Sequence, residues 1–140
     1  MDSTVVHAGY DGLDLSYPAF LPEHVQRTLA KAKLLAQETR SDIPINVGGM
    51  EFLVKPSGSK GGYQYTVDTG LLGASWMFKE KARSDPWGCR VSFKSFPLAI
   101  FGLEEMKKRA DVFLQTLGVK IQTGDWRLSR VDFAADFLAP

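Results

Sequence analysis

The sequence predicts an α+β fold: an antiparallel sheet with two helices on one face, built as an elaborated split β-α-β unit. Three observations lead there. Short stretches alternating apolar and polar residues recur from residue 13 to the end of the chain. Two stretches of helical period, near 22–40 and 103–117, are set among them. The resulting order is strand, helix, several antiparallel strands, helix, strand, which is expected to make the first and last strands central neighbours.

The bulk numbers suit that class. A chain of 140 residues, 44% hydrophobic and 24% charged, is sized for one α+β domain over residues 1–140. A net charge of +1 excludes a global polycation, so any nucleic-acid affinity must come from a local patch. Cys89 is the single cysteine, which excludes an internal disulfide and a thiolate metal cluster and fits a reducing compartment. Only His7 and His24 are present, so no histidine-rich metal site is encoded. The N-terminus lacks a signal-peptide pattern and no apolar run approaches membrane-spanning length; the expectation is a cytoplasmic protein without a membrane partner.

Taken in order, Val5 and Val6 precede a Gly-Tyr-Asp-Gly turn signal, and Leu13, Leu15 and Tyr17 then alternate with Asp14 and Ser16 as a half-buried strand. Pro22 is placed to start a helix running to about Arg40. Its stripe is Val25, Leu29, Ala32 and Ala36, with Leu35 adjoining, and Arg27 and Lys31 on the wet side. Ile43 to Val47 is extended, Gly48-Gly49 is a turn, and Met50–Lys55 and Tyr63–Val67 are strands. The loop Pro56-Ser-Gly-Ser-Lys-Gly-Gly62 lacks the full phosphate-loop signature and lies between two strands, so it reads as a hairpin connection, with Lys60 free to touch a backbone phosphate.

Asp68–Gly73 is a turn, Ala74–Lys79 a strand, 80–86 polar and turn-like, and Trp87–Lys94 a further strand. In the last, Arg90, Ser92 and Lys94 share one face and Cys89, Val91 and Phe93 the other. Lys79, Lys81, Arg83, Arg90 and Lys94 are interleaved here with Trp87 and Phe93, a composition suited to single-stranded nucleic acid, where cations follow phosphates and rings offer stacking surfaces. The same pattern fits Trp76, Phe78 and Phe93 as core with ordinary surface lysines, and both readings stay open. Phe96-Pro97 is expected to break the strand. A second helix follows, read most clearly from Leu103 to Leu117, with Leu103, Met106, Ala110, Phe113, Leu114 and Leu117 in its stripe and Gly118 as its stop.

The final strand, Arg127–Phe137, carries the sharpest signal. Ser129, Val131, Phe133, Ala135 and Phe137 alternate with Leu128, Arg130, Asp132, Ala134 and Asp136. Arg130 and Asp132 stand about 7 Å apart and Asp132 and Asp136 about 13 Å apart along an extended strand. Three charges on one face of a core-quality strand are costly to bury. They are either the wet side of an open sheet, with Arg130 paired to Asp132, or a site where two carboxylates hold Mg²⁺ or Mn²⁺.

Leu128-Ser-Arg-Val-Asp-Phe-Ala-Ala-Asp136 resembles the Arg-hydrophobic-Asp-hydrophobic-Ala-x-Asp segment of the replication initiation factor family, the rolling-circle initiators of plasmids and phages. The Gly-Cys-Arg-Val-Ser-Phe strand and the helix between are similar to that family's layout, and the looser likeness spans residues 45–137. The resemblance implies a ferredoxin-like sheet of replication-initiator type and a metal-dependent DNA-nicking activity. It makes Asp132 and Asp136 the metal carboxylates, with Mg²⁺ or Mn²⁺ as cofactor. By the same resemblance Arg130 orients those carboxylates or meets a phosphate; with Lys79, Arg90 and Lys94 from the basic stretch above it makes up the expected nucleic-acid-binding set, and the implied partner is DNA, single-stranded or an origin hairpin. The tyrosine that would attack the phosphodiester is expected downstream of Pro140, since Tyr10, Tyr17, Tyr63 and Tyr65 match no such context. The chain thus reads as the N-terminal part of a longer initiator that binds DNA weakly and does not cut it alone. The competing readings are a non-catalytic single-strand-binding module on the same face, and a phage-derived structural or interaction domain.

Overall fold

A computed structural model describes residues 5–80, 86–120 and 127–137, except for the side chains of 5–11 and 127–137. Its elements are β1 (Val5–Tyr17), α1 (Glu23–Thr39), β2 (Ile43–Val47), β3 (Met50–Val54), β4 (Tyr65–Asp68), β5 (Ala74–Phe78), β6 (Cys89–Phe93), α2 (Ser95–Phe101), α3 (Leu103–Thr116) and β7 (Arg127–Phe137). The strands form one sheet in the order β2-β3-β4-β5-β6-β1-β7, every neighbouring pair antiparallel. The α+β class and the antiparallel sheet are as the sequence predicts.

Strands β2 to β6 form a meander of local hairpins. β6 and β7 are each antiparallel to β1, so they run parallel to one another with β1 between them. The chain from β6 through α2 and α3 to β7 is therefore a split β-α-β crossover. The first and last strands are neighbours, as expected, but not central ones: β7 is the last strand in the sheet order, with β1 next to it.

Alternation decides the two faces. Leu13, Leu15 and Tyr17 of β1, Cys89, Val91 and Phe93 of β6, Trp76 and Phe78 of β5, Val67 of β4 and Val54 of β3 are all buried in one core. The helical stripes close it: Val25, Leu29 and Ala32 from α1, Leu98 from α2, Met106, Ala110, Phe113 and Leu114 from α3. Trp76 is its centre, with its ring 4.9 Å from Phe113 and 5.9 Å from Phe78, and Phe113 meets Phe52 edge-on at 5.5 Å. Tyr17 is fully buried and donates to Asp111 Oδ1 at 3.0 Å, fixing α3 to the sheet.

Three local outcomes differ from the expectations. The Gly-Tyr-Asp-Gly stretch makes no turn: β1 runs through it as one strand, with a register shift between Tyr10 and Gly12 against β7. The glycines accommodate a bulge, which bends a strand without ending it. Second, the strand ends at Phe93, ahead of Phe96-Pro97 as expected, but the helical chain starts earlier than Leu103: α2 begins two residues before Pro97, whose missing N–H has no partner to lose in a helix's first turn. Gly102, at φ +80, separates α2 from α3 and makes three helices of the expected two. Third, Leu35 is well exposed and lies outside the α1 stripe.

Candidate nucleic-acid interface

The face of the sheet opposite the helices is polar because the alternation that sends apolar residues inward sends Asp14 and Ser16 of β1, Arg90 and Ser92 of β6, Ser75 and Met77 of β5, and Thr66 and Asp68 of β4 outward. Register lines these into rows. Asp14 is level with Ser92, Ser92 with Ser75, and Ser75 with Asp68. Ser16, Arg90, Met77 and Thr66 form the next row. Arg90, Ser92 and Lys94 lie along the strand direction from one side of this face to the next, as the sequence pattern requires.

The two cations are tied to carboxylates. Arg90 places Nη2 at 2.7 Å and Nε at 2.9 Å from Asp14 Oδ2. The Asp14 side chain is only 4% exposed against 27% for Arg90, so the arginine serves a carboxylate that burial would otherwise destabilise. Lys94 Nζ reaches Asp68 at 2.9 and 3.1 Å and the Gly70 carbonyl at 2.8 Å. Desolvation alone would push the Asp68 carboxyl up, but hydrogen bonds from Lys94 Nζ and the Gly70 N–H, with the Lys94 and Lys55 charges, hold it below the ordinary carboxylate value.

Of the other expected binding residues, Lys79 follows the end of β5 and sits over the Tyr63 ring, 4.7 Å from its centre. Trp76, Phe78 and Phe93 are buried in the core on the helix side, so Phe93 is not beside Arg90 and Lys94 on the open face, while Trp87, the other ring expected to stack, is half-buried in the segment before β6. The hairpin reading of residues 56–62 holds, since β3 pairs antiparallel with β4 across it; Ser59 bonds to Thr66 Oγ1 and Lys60 is exposed at the loop. Lys81 and Arg83 lie outside the described residues.

The side chains of Arg130, Asp132 and Asp136 also lie outside the described residues, but their backbone positions do not. Arg130 is level with Asp14, Asp132 with Gly12 and Asp136 with His7, and β7 runs without an inserted residue from Arg130 to Phe137. Asp132 and Asp136 are thus about 13 Å apart along the strand. Two aspartates holding one ion at about 2.1 Å cannot span that distance, so an ion at either would need its other ligands from elsewhere. Among the described residues no three His, Cys, Asp or Glu side chains are grouped to hold a metal, and the nearest described acid in register, Asp14, is held by Arg90. The described residues do not complete a metal site.

Nor do Tyr17 and Tyr65 suit nucleophilic attack. Burial, with Asp111 beside it, pushes Tyr17 far above its ordinary value. Burial and the Glu80 carboxylate, 2.9 Å from its hydroxyl, push Tyr65 up to about 12. Both hydroxyls are kept protonated.

Sequence reasoning missed the acidic partners. Asp14 was legible only as the polar beat between Leu13 and Leu15, and Asp68 only as the start of a turn. The signal that could have found Asp14 is its strand: one carboxylate between fully buried neighbours needs a cation from an adjacent strand. Among the described residues no helix is long and apolar enough to cross a membrane. No family model, no curated protein and no solved structure matches the chain.

Proposed function

We propose that the chain is a nucleic-acid-binding domain of the rolling-circle replication-initiator type, and that it meets backbone phosphates on the open face of its sheet in the cytoplasm. The observation that carries the reading is the arrangement of that face: Arg90 and Lys94 flank the Ser92 and Ser75 hydroxyls, beside the strand that holds Arg130 level with Asp14. Guanidinium, ammonium and hydroxyl groups are the usual donors to phosphate oxygens. With Trp76, Phe78 and Phe93 in the core on the other face, affinity here comes mainly from phosphate contacts. The Arg130-Val-Asp-Phe-Ala-Ala-Asp136 segment supports the initiator assignment by resemblance, and metal-dependent nicking belongs to that resemblance alone.

The test is fluorescence anisotropy of a labelled single-stranded oligonucleotide, and of a DNA hairpin, across a KCl series. The expected result is binding whose log affinity falls linearly with log salt. Ser92→Glu places a like charge among the phosphates, between Arg90 and Lys94 and level with Asp14, and is expected to weaken binding at least about ten-fold, with the fold retained as read by circular dichroism. Binding that ignores salt, or that Ser92→Glu leaves intact, would overturn the proposal.

A further inference from the structure

The helix side of the sheet is not fully covered. Between α3, the start of β3 and the β4–β5 turn lies an open cleft of about 390 Å³ whose floor is Trp76, Phe93, Met106 and Phe113. Its size is at the lower end of small-molecule sites. Leu72 and Val112, at the mouth, are 50% and 51% exposed, large apolar side chains that water contacts at the edge of an apolar hollow. The one hydroxyl in the wall, on Thr69, is already occupied with the Ala74 backbone: it accepts from the N–H at 2.8 Å and bonds to the carbonyl at 3.2 Å.

The wall therefore offers aromatic faces and thioethers, and almost no polar recognition. Charge appears only at the rim, where Glu51 and Glu105 are balanced by Lys108 and Arg109. Arg109 is further committed, to Glu105 at 3.2 Å and to the Phe101 ring at 3.9 Å. A rim with two charges of each sign selects neither anions nor cations. Rings and methionine sulfur favour a flat, polarisable partner over a flexible aliphatic one.

We propose that this cleft is a binding site for a small, neutral, planar aromatic ligand, separate from the open sheet face and independent of what that face binds. The site lies on the opposite side of the sheet from Arg90 and Lys94, so the two can be occupied together.

The experiment is titration of the intact chain with N-phenyl-1-naphthylamine, a neutral aromatic probe whose emission shifts blue and brightens in an apolar site. One saturable site per chain is expected, with a cooperative thermal transition that moves to higher temperature as the probe is added. Ala110→Phe, which puts a ring into the cleft from α3, is expected to reduce the affinity at least about ten-fold. Since that variant tests a core position, Leu72→Asp at the exposed mouth provides a second arm, expected to weaken the probe several-fold while the protein stays folded. Absence of a saturable site in the folded protein would overturn the proposal, as would equal affinity in Leu72→Asp. Tighter binding of the anionic analogue 8-anilinonaphthalene-1-sulfonate than of the neutral probe would overturn the assignment to a neutral ligand.

Discussion

Asp14 lies between Leu13 and Leu15 in a strand whose other face is the centre of the core, and it is the one charged side chain that is buried among the described residues. Its carboxylate takes both the Nε and Nη2 donors of Arg90 on the same oxygen. Removing a partner from such a pair costs more than the pair contributes, because a charge then remains buried without its counter-ion. Arg90→Ala is therefore expected to destabilise the protein by about 3 kcal/mol, read from the urea midpoint. The further change Asp14→Ala in the same chain is expected to recover part of that loss. If the double variant is no more stable than Arg90→Ala, the pair is not what stabilises this part of the sheet. The consequence for function is that Arg90 acts first as a structural cation, and any phosphate contact it makes comes through its exposed edge.

At the scale of elements, the strongest local signals were read correctly and their context was not. The α1 stripe Val25, Leu29, Ala32, Ala36 and the α3 stripe from Met106 to Leu114 are buried as their period requires. Gly118 follows α3 at φ +88, the left-handed stop expected of it. By contrast the Gly-Tyr-Asp-Gly stretch has the composition of a turn, and only pairing with β7, distant in sequence, makes it a bulge within β1. The Gly48-Gly49 turn was legible from two adjacent glycines, but its docking was not. Both take positive φ, +60 and +87, which matches the tight hairpin geometry joining β2 to β3, and Asn46 Oδ1 accepts from the Gly49 N–H at 3.1 Å. A Cβ on Gly48 would stand 2.8 Å from Thr116 Cγ2 and 3.1 Å from the Thr116 carbonyl at the end of α3, whereas one on Gly49 meets nothing within 4 Å. Gly49→Ala is expected to cost about 1 kcal/mol, from backbone conformation alone. Gly48→Ala is expected to cost about 2 kcal/mol or more, since it adds a clash with α3. Equal denaturation midpoints for the two variants would show that the hairpin is not seated on α3.

At the scale of the molecule, the two faces of one sheet divide the work: the helix side holds the aromatic core and its cleft, the open side holds the paired charges. The division into faces was legible because alternation along β1, β5 and β6 is regular. The pairing of the charges was not, because Asp14 with Arg90 and Asp68 with Lys94 are brought together by strand order, which no local pattern encodes. Under the proposed function, that pairing sets the competition that a nucleic-acid phosphate would enter. Lys94 is held by a carboxylate whose pKa lies below its ordinary value, so Asp68 stays charged at neutral pH and its contribution to stability is lost only as the pH falls from about 4 through its folded value. A phosphate approaching Lys94 must displace Asp68. Both side chains retain some solvent exposure, at 29% and 19%, so Asp68→Asn removes a competitor at a stability cost within about 1 kcal/mol. If the open face is the interface, Asp68→Asn is expected to bind the single-stranded oligonucleotide several-fold more tightly, with a salt slope steeper by about 0.7 for one added phosphate contact. The control is Glu104→Gln on α3, which removes one carboxylate beside Lys107 on the helix side of the sheet and raises the net charge by the same amount. Equal gains in the two variants would mean that net charge and not the sheet face governs binding; a gain confined to Asp68→Asn would place the phosphate at Lys94.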